Sequence, residues 1–346
     1  MRYSRLSLGA QTAYAELLEQ TQGLEMQHHL GRLAGSFHKK KIKKRWYWYF
    51  AYRDLDGGMR FVYVGPDSER VAMIIERFNA EKTVSLKGRA GAATALGCAA
   101  VVPRHYRIIK RLAEYGFFRA GGLLIGTHAF VALGNVLGVH WGEADRTLHV
   151  DFARAGRNVS IALPASIQVD VHQALTSLEM GLLPISQFSG DVGAQYRNPK
   201  DPELRLDFVT PKHRGTGEPV RVPNLNVALQ PLKFMEFALE DVAQGLVLCA
   251  EGATVVNLPA PDRYAVHKLI VYGERPVRER AKAAKDLQQA ACLASYFLED
   301  RPTELGRAWH DAVSRGPGWR KRAQQGRAAL IKGAPELAAP RLWRRP

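Results

Sequence analysis

Apolar positions recur at helical spacing over residues 12–30, where Leu17, Leu18 and Leu24 stand among Glu and Gln. Residues 45–53 and 59–64 then read as two strands, and Asp54-Leu55-Asp56-Gly57-Gly58 between them is a hairpin signal. Gly65-Pro66 ends the second strand. Asp67 or Ser68 can cap a helix whose apolar face includes Val71, Ile74, Ile75 and Phe78. Residues 88–102 are rich in Ala and Gly, and Pro103 punctuates them.

The pattern changes after that point. A helix over 104–115 leads into strands at 123–125, 148–152 and 204–209, with a helix at 128–137 and a Gly-rich charged loop at 211–223. Beyond 230 the spacing predicts helices over 234–244, 262–271, 278–298 and 303–314, with short strands at 246–249 and 254–258. The organisation expected is a helix–β-hairpin–helix module (1–103), a mixed α/β core (104–230) and a mainly helical region with a basic, frayed tail (231–346).

Charge adds a partner to this picture. The chain of 346 residues carries a formal net charge of +16. His38 to Arg45 (HKKKIKKR) holds six Lys/Arg and no acid, and 315–346 holds nine against one acid, Glu336. Such an excess favours polyanions: nucleic acid, or the phosphates of a nucleotide. The aromatic run Trp46, Tyr47, Trp48, Tyr49, Phe50 and Tyr52 follows the first cluster. Alternate members face opposite sides of a strand, so half suit a core and half suit base stacking. Cys98, Cys249 and Cys292 are widely spaced and read as buried reduced thiols rather than metal ligands or disulfides. No apolar run is long enough to span a membrane, and the N-terminus lacks a signal-peptide core, so a cytoplasmic location is expected.

Candidate chemistry concentrates in residues 121–152, GGLLIGTHAFVALGNVLGVHWGEADRTLHVDF. Gly126-Thr127 follows a strand and precedes a helix, a place where backbone N–H groups can approach phosphates. His149 and Asp151 stand i, i+2 on a later strand and share a face. Asp207 repeats the setting of Asp151: VDF at 150–152, LDF at 206–208. Each Asp alone reads equally well as a surface position. Together they suit a site for hard divalent cations, which want carboxylate oxygens. Transfer at an α-phosphorus uses two such ions about 4 Å apart. Motifs for zinc hydrolases, P-loops, dinucleotide folds and serine-hydrolase elbows are absent from the sequence.

The segments GGLLIGTHAFVALGNVLG, HVDFA, LRLDFVTP, and DRYAVHKLIVYGER with AKDLQQA occur in that order. They resemble the nucleotidyltransferase-fold proteins of the DNA polymerase beta superfamily, and within it a bacterial group distantly similar to abortive-infection toxin nucleotidyltransferases. The resemblance implies an α/β (α+β) fold with a small mixed-sheet nucleotidyltransferase core. It implies metal-dependent transfer of an NMP from an NTP to an acceptor hydroxyl, with Mg²⁺ or Mn²⁺ as cofactor. The basic cluster and tail point to RNA, including tRNA, as acceptor. Asp151 and Asp207 would hold metal and carry catalysis, Gly126 and Thr127 would cradle phosphates, and Lys268 would face the site and steady the triphosphate. Arg263, Arg275 and Lys285 are further candidates to line it, whereas Asp286 reads as a surface ion-pair partner.

One position departs from the pattern. The resemblance implies an acid where this chain has His149. A neutral imidazole suits Zn²⁺ or Mn²⁺ better than Mg²⁺. Altered metal preference, replacement by Glu143 or Asp145, and loss of catalysis are three readings of that substitution. The last would leave a nucleotide- or nucleic-acid-binding module, and a toxin or defence-associated enzyme is a further reading of the resemblance.

Overall fold

The computed structural model describes residues 2–30, 35–42, 45–53, 59–81, 86–142, 149–154, 169–186, 192–212 and 217–343. The hairpin turn at 54–58, Lys43, Lys44, Glu143 and Asp145 lie outside them.

The chain opens with strand β1 (Ser4–Arg5) and helix α1 (Leu8–Leu30), then strands β2 (Gly35–Ile42), β3 (Arg45–Arg53) and β4 (Met59–Pro66). These three form an antiparallel sheet in the order β2-β3-β4. Residues 38–42 of the basic run thus lie in strand β2, for which the residue pattern carries no strand signal. Helices α2 (Glu69–Glu81), α3 (Lys87–Ala95) and α4 (Pro103–Glu114) follow, so the Ala/Gly-rich stretch also forms a helix. Ala90 and Ala93 of α3 pack with Leu17 of α1. Their small side chains let the two helices approach closely.

The central sheet is built from β5 (Gly122–Ile125), β7 (His149–Arg154), β8 (Leu183–Ser186), β9 (Val192–Asn198), β10 (Asp201–Pro211), β11 (Val220–Val222) and β12 (Val227–Leu232). Helix α5 (Gly126–Leu137) leaves β5 directly, β6 (Val139–His140) pairs with β1, and α6 (Val171–Thr176) precedes β8. Strand β7 runs antiparallel to β5 and parallel to β10, and β10 runs parallel to β12, so the sheet is mixed. The fold is therefore α+β, as expected.

Alternation along β7 and β10 divides the two faces of this sheet. Val150, Phe152, Leu206 and Phe208 are fully buried on one face, and Phe152 stacks on Phe208 with ring centroids 5.2 Å apart. Burying each ring contributes about 2–3 kcal/mol. Period 2 then sends His149, Asp151, Arg205 and Asp207 to the opposite face.

That opposite face is covered by later elements. Helix α7 (Met235–Leu239) is one short turn, and the chain then continues as β13 (Val242–Cys249), paired antiparallel with β14 (Gly252–Pro259). The helix expected over 234–244 is thus shortened to Met235–Leu239, and residues 242–244 belong to β13. Helices α8 (Pro261–Glu274), α9 (Arg280–Asp300), α10 (Pro302–Ser314) and α11 (Pro317–Gly333) complete the structure. The expected frayed tail is instead the ordered α11, which packs along α8. A Cβ on Gly326 would lie 2.2 Å from the Leu269 carbonyl oxygen, so only glycine allows this approach. Cys98, Cys249 and Cys292 are free and buried, as expected.

Candidate functional site

The echo seen in the sequence is a physical pairing. Strands β7 and β10 are in parallel register, with Asp207 beside Asp151, Phe208 beside Phe152 and Arg205 beside His149. Asp151 also pairs across the sheet with Ile125, the last residue of β5. The chain turns there into α5, whose first residue is Gly126 at φ +64°. A Cβ on Gly126 would lie 2.2 Å from Asp151 Oδ2. Glycine is required at this position both by the backbone conformation and by the carboxylate against it.

These residues line a cavity of about 330 Å³. Its floor is Gly126, Asp151, Arg205 and Asp207, its apolar side Phe208, Val209, Leu232 and Met235, and its other wall α8 and α9 through Tyr264, Lys268, Arg275, Lys282 and Asp286. Four cations and three carboxylates line it, so the cavity favours an anionic ligand.

Burial raises the proton affinity of Asp151, the neighbouring charge of Asp207 adds to it, and Lys268 and Arg205 oppose it. The net result is a carboxyl pushed up to about 6. Arg205 donates from Nε and Nη2 to Asp207 Oδ2 at 2.8 and 2.7 Å. His149 lies on the same face one pairing step away, outside the set of cavity-lining residues. Burial first, then Arg205, lower its pKa, against the opposing charge of Asp207.

Lys268 is placed on the cavity wall, and it is already partnered. Its Nζ donates to Asp286 Oδ1 at 2.7 Å, and Arg275 Nε donates to Asp286 Oδ2 at 2.5 Å. Burial opposes the Lys268 charge, but Tyr264 and Asp286 outweigh it and raise its pKa. Asp286 is not the surface partner its neighbours in sequence suggested. Its side chain is 5% exposed, and it fixes two cations at once. Lys282 is exposed on the cavity rim and makes no ion pair among the described residues.

Two other candidates lie elsewhere. Thr127 is buried, and its Oγ1 is 3.4 Å from Gln289 Nε2 rather than at the cavity surface. Gln289 Oε1 is 3.2 Å from the Tyr264 hydroxyl, which donates to the Gly126 carbonyl at 2.8 Å. Thr127 thus braces the turn from behind. Arg263 is held by Asp241, Glu240 and Asp311 and does not line the cavity. Lys285 is half-buried on α9 and does not line it either. Asp286, Arg205 and Lys282 were the signals missed. Their charge alternates with apolar residues, but only the tertiary fold turns them toward Asp151.

The donor set can be tested against a divalent cation. Two adjacent carboxylates, one with its pKa raised by the other's charge, would be relieved by a cation between them. Mg²⁺ is commonly held by one or two carboxylates, with phosphate and water completing its shell. Asp151 and Asp207 fit one such ion. Among the described residues, no cluster of three or more His, Cys, Asp or Glu is placed to hold a metal, so a two-metal ligand set is not assembled.

Residues 104–314 match a family model described as nucleotidyltransferase. A search of curated proteins gives no match. Among solved structures, the crystal structure of an antigenic nucleotidyltransferase-like protein from Paracoccidioides brasiliensis is similar at 14% identity, over 71% of this chain and 96% of that chain, with a TM-score of 0.36.

Proposed function

Because this chain belongs to the nucleotidyltransferase family, we propose that it moves an NMP from an NTP to an acceptor hydroxyl in the cavity between β7, β10 and α8. The observation that carries this reading is the convergence of Gly126, Asp151 and Asp207. The family supplies the reaction class, and the geometry suggests where it happens.

The roles follow from position. Gly126, at the start of α5, lets a phosphate approach backbone N–H groups at a helix N-terminus. Lys268, Arg275 and Lys282 would offset triphosphate charge from the opposite wall. A Mg²⁺ or Mn²⁺ ion would be held by Asp151 and Asp207 and would supply charge neutralisation at the transferring phosphate. The acceptor oxygen bonds to the α-phosphorus, the bond to the β-phosphate oxygen breaks, and pyrophosphate leaves. The proton lost by the hydroxyl leaves to water, because the Asp151 carboxylate must stay ionised to hold the ion. RNA is the acceptor class favoured by the net charge of +16.

The test is incubation with α-labelled NTPs, total RNA and either Mg²⁺ or Mn²⁺. Label should appear in RNA with the wild type and fall at least 100-fold with Asp207→Asn. Absence of transfer under both metals would sink the reading.

A second reading has its own observation. Arg205 already pairs with Asp207, and His149 occupies the position at which the resemblance implies an acid. Both features favour a protein that binds nucleotide and turns it over slowly or not at all. His149→Asp separates the two. A gain of Mg²⁺ binding measured by calorimetry supports the slow-turnover reading, and a loss of existing transfer supports a working histidine.

A further inference from the structure

The β2-β3-β4 sheet carries chemistry that the cavity does not use. Cross-strand partners in register share a face, which sorts its side chains. Lys39 pairs with Trp48 and Lys41 with Trp46 on one face. On the other, Lys40 pairs with Tyr47, His38 with Tyr49 and Tyr49 with Tyr63, and Phe61 is placed opposite Ala51. The ring contacts agree with this assignment. Tyr63 lies 5.6 Å from Tyr49 and 6.1 Å from Tyr47, and His38 lies 6.5 Å from Phe61.

The two faces differ in how far they are satisfied internally. On the first, Asp67 accepts from Trp48 Nε1 at 3.0 Å and pairs with Lys39 at 2.5 Å. The second has no such carboxylate among the described residues. Tyr63 is 54% and Phe61 48% exposed, far above what a core requires of such rings. The Lys40 ammonium lies over Phe61 at 3.6 Å from the ring centroid, and 5.4 Å from that of Tyr49.

We propose that this face, formed by Tyr47, Tyr49, Phe61 and Tyr63 with His38 and Lys40, is a docking surface for single-stranded nucleic acid. Flat rings at open positions offer stacking to any base, because every base has a π-face. Lys40 on this face of the edge strand β2 offers a phosphate contact beside them. Charge also decides against another copy of this chain as the occupant. A row of lysines along an edge strand repels an identical edge and blocks sheet extension. A polyanion with exposed bases matches both the charge and the rings; a duplex, whose bases are already stacked, matches only the charge. The inference deepens the acceptor named above and rests on that reading only for the transfer step.

The experiment uses the full chain with fluorescein-labelled 15-nucleotide oligouridylate, oligodeoxythymidylate and a duplex of equal length. Anisotropy is read at several salt concentrations without NTP or divalent ion. Single strands should bind more tightly than the duplex. Phe61→Ala with Tyr63→Ala should weaken binding about 10-fold or more with an unchanged salt slope, and Phe61→Tyr should restore most of it. Lys40→Gln should lower the slope of log Kd against log salt by about 0.7. The relative strengths of the two oligonucleotides distinguish RNA from DNA as the natural strand. Binding that ignores the rings and follows only Lys40 would overturn the proposal, as would equal binding of the duplex or self-association through this sheet in sedimentation. Because the assay contains no NTP, failure of nucleotidyl transfer leaves its outcome untouched.

Discussion

Arg205 and Asp207 project from the same face of one strand and are bonded to each other, two guanidinium N–H groups meeting one carboxylate oxygen. The pair stands beside His149 and Asp151 on the neighbouring strand. Asp207 therefore carries a counter-ion of its own before any ligand arrives, and Asp151 depends on Lys268 across the cavity and on Arg205 beside it in the floor for its share of positive charge.

Arg205→Gln removes the nearer of these influences on Asp207 and one of those that hold Asp151 down. The proton affinity of Asp151 should rise above its value of about 6. Asp151 must be ionised to hold the cation, so the acid limb of the transfer rate against pH should move to higher pH. An unmoved limb would show that Asp151 is not the titrating group.

Gly126→Ala should abolish transfer while leaving the protein folded. The added methyl would meet Asp151 Oδ2 at 2.2 Å, and a left-handed conformation costs an alanine about 1–2 kcal/mol. Transfer should fall at least 100-fold and nucleotide affinity at least 10-fold, with a modest drop in melting temperature. Unchanged nucleotide affinity by calorimetry would mean that phosphates bind elsewhere.

Asp286→Asn leaves Lys268 and Arg275 without their shared charge in a buried position. Removing one partner from such a cluster costs about 3 kcal/mol. Urea denaturation should show that loss. The freed Lys268 should also bind inorganic phosphate or pyrophosphate in competition with NTP, which a purely structural role for Asp286 would not produce.

Mild acid should weaken the fold. His105 and His128 are buried with His128 Nε2 3.0 Å from His105 Nδ1. Burial lowers their pKa values to about 4 and about 3; the charge of Arg104 adds to this at His105, and His105 adds to it at His128. Between pH 6.5 and those values the unfolded chain takes up protons that the folded chain refuses, so stability falls as pH falls. Asp151 acts in the opposite direction between its ordinary range and pH 6, because its folded pKa is raised. Asp151→Asn should therefore steepen the acid loss, and His105→Gln should flatten it. Urea midpoints at pH 7, 6, 5 and 4.5 measure both.

The sequence made much of this visible, and the limits have physical causes. The central strands and long helices were legible because Phe152, Phe208 and their apolar neighbours alternate with period 2, and α8 and α9 repeat near 3.6. The pairing of Asp151 with Asp207 was foreshadowed by the VDF and LDF echo. Strand β2 was not visible, because lysine is a poor strand former and only pairing with the aromatic β3 makes the strand. Only the start of β13 was taken for helix, because Val242 and Ala243 continue the helical spacing from Leu239, whereas 246–249 read as strand. Asp286 was misread since an acid beside a lysine on a helix is commonplace at the surface. Only the packing of α9 against α8 buries it.

The close seat of α11 on α8 also sets an order of events during synthesis. Helix α8 bears Tyr264 and Lys268 and forms one wall of the cavity, yet it is clasped by a glycine about 60 residues further along the chain. The floor at Gly126 and Asp151 leaves the ribosome long before that clasp does. A growing chain would thus carry the floor without its braced cationic wall, and would acquire the complete cavity only when translation has passed Gly333.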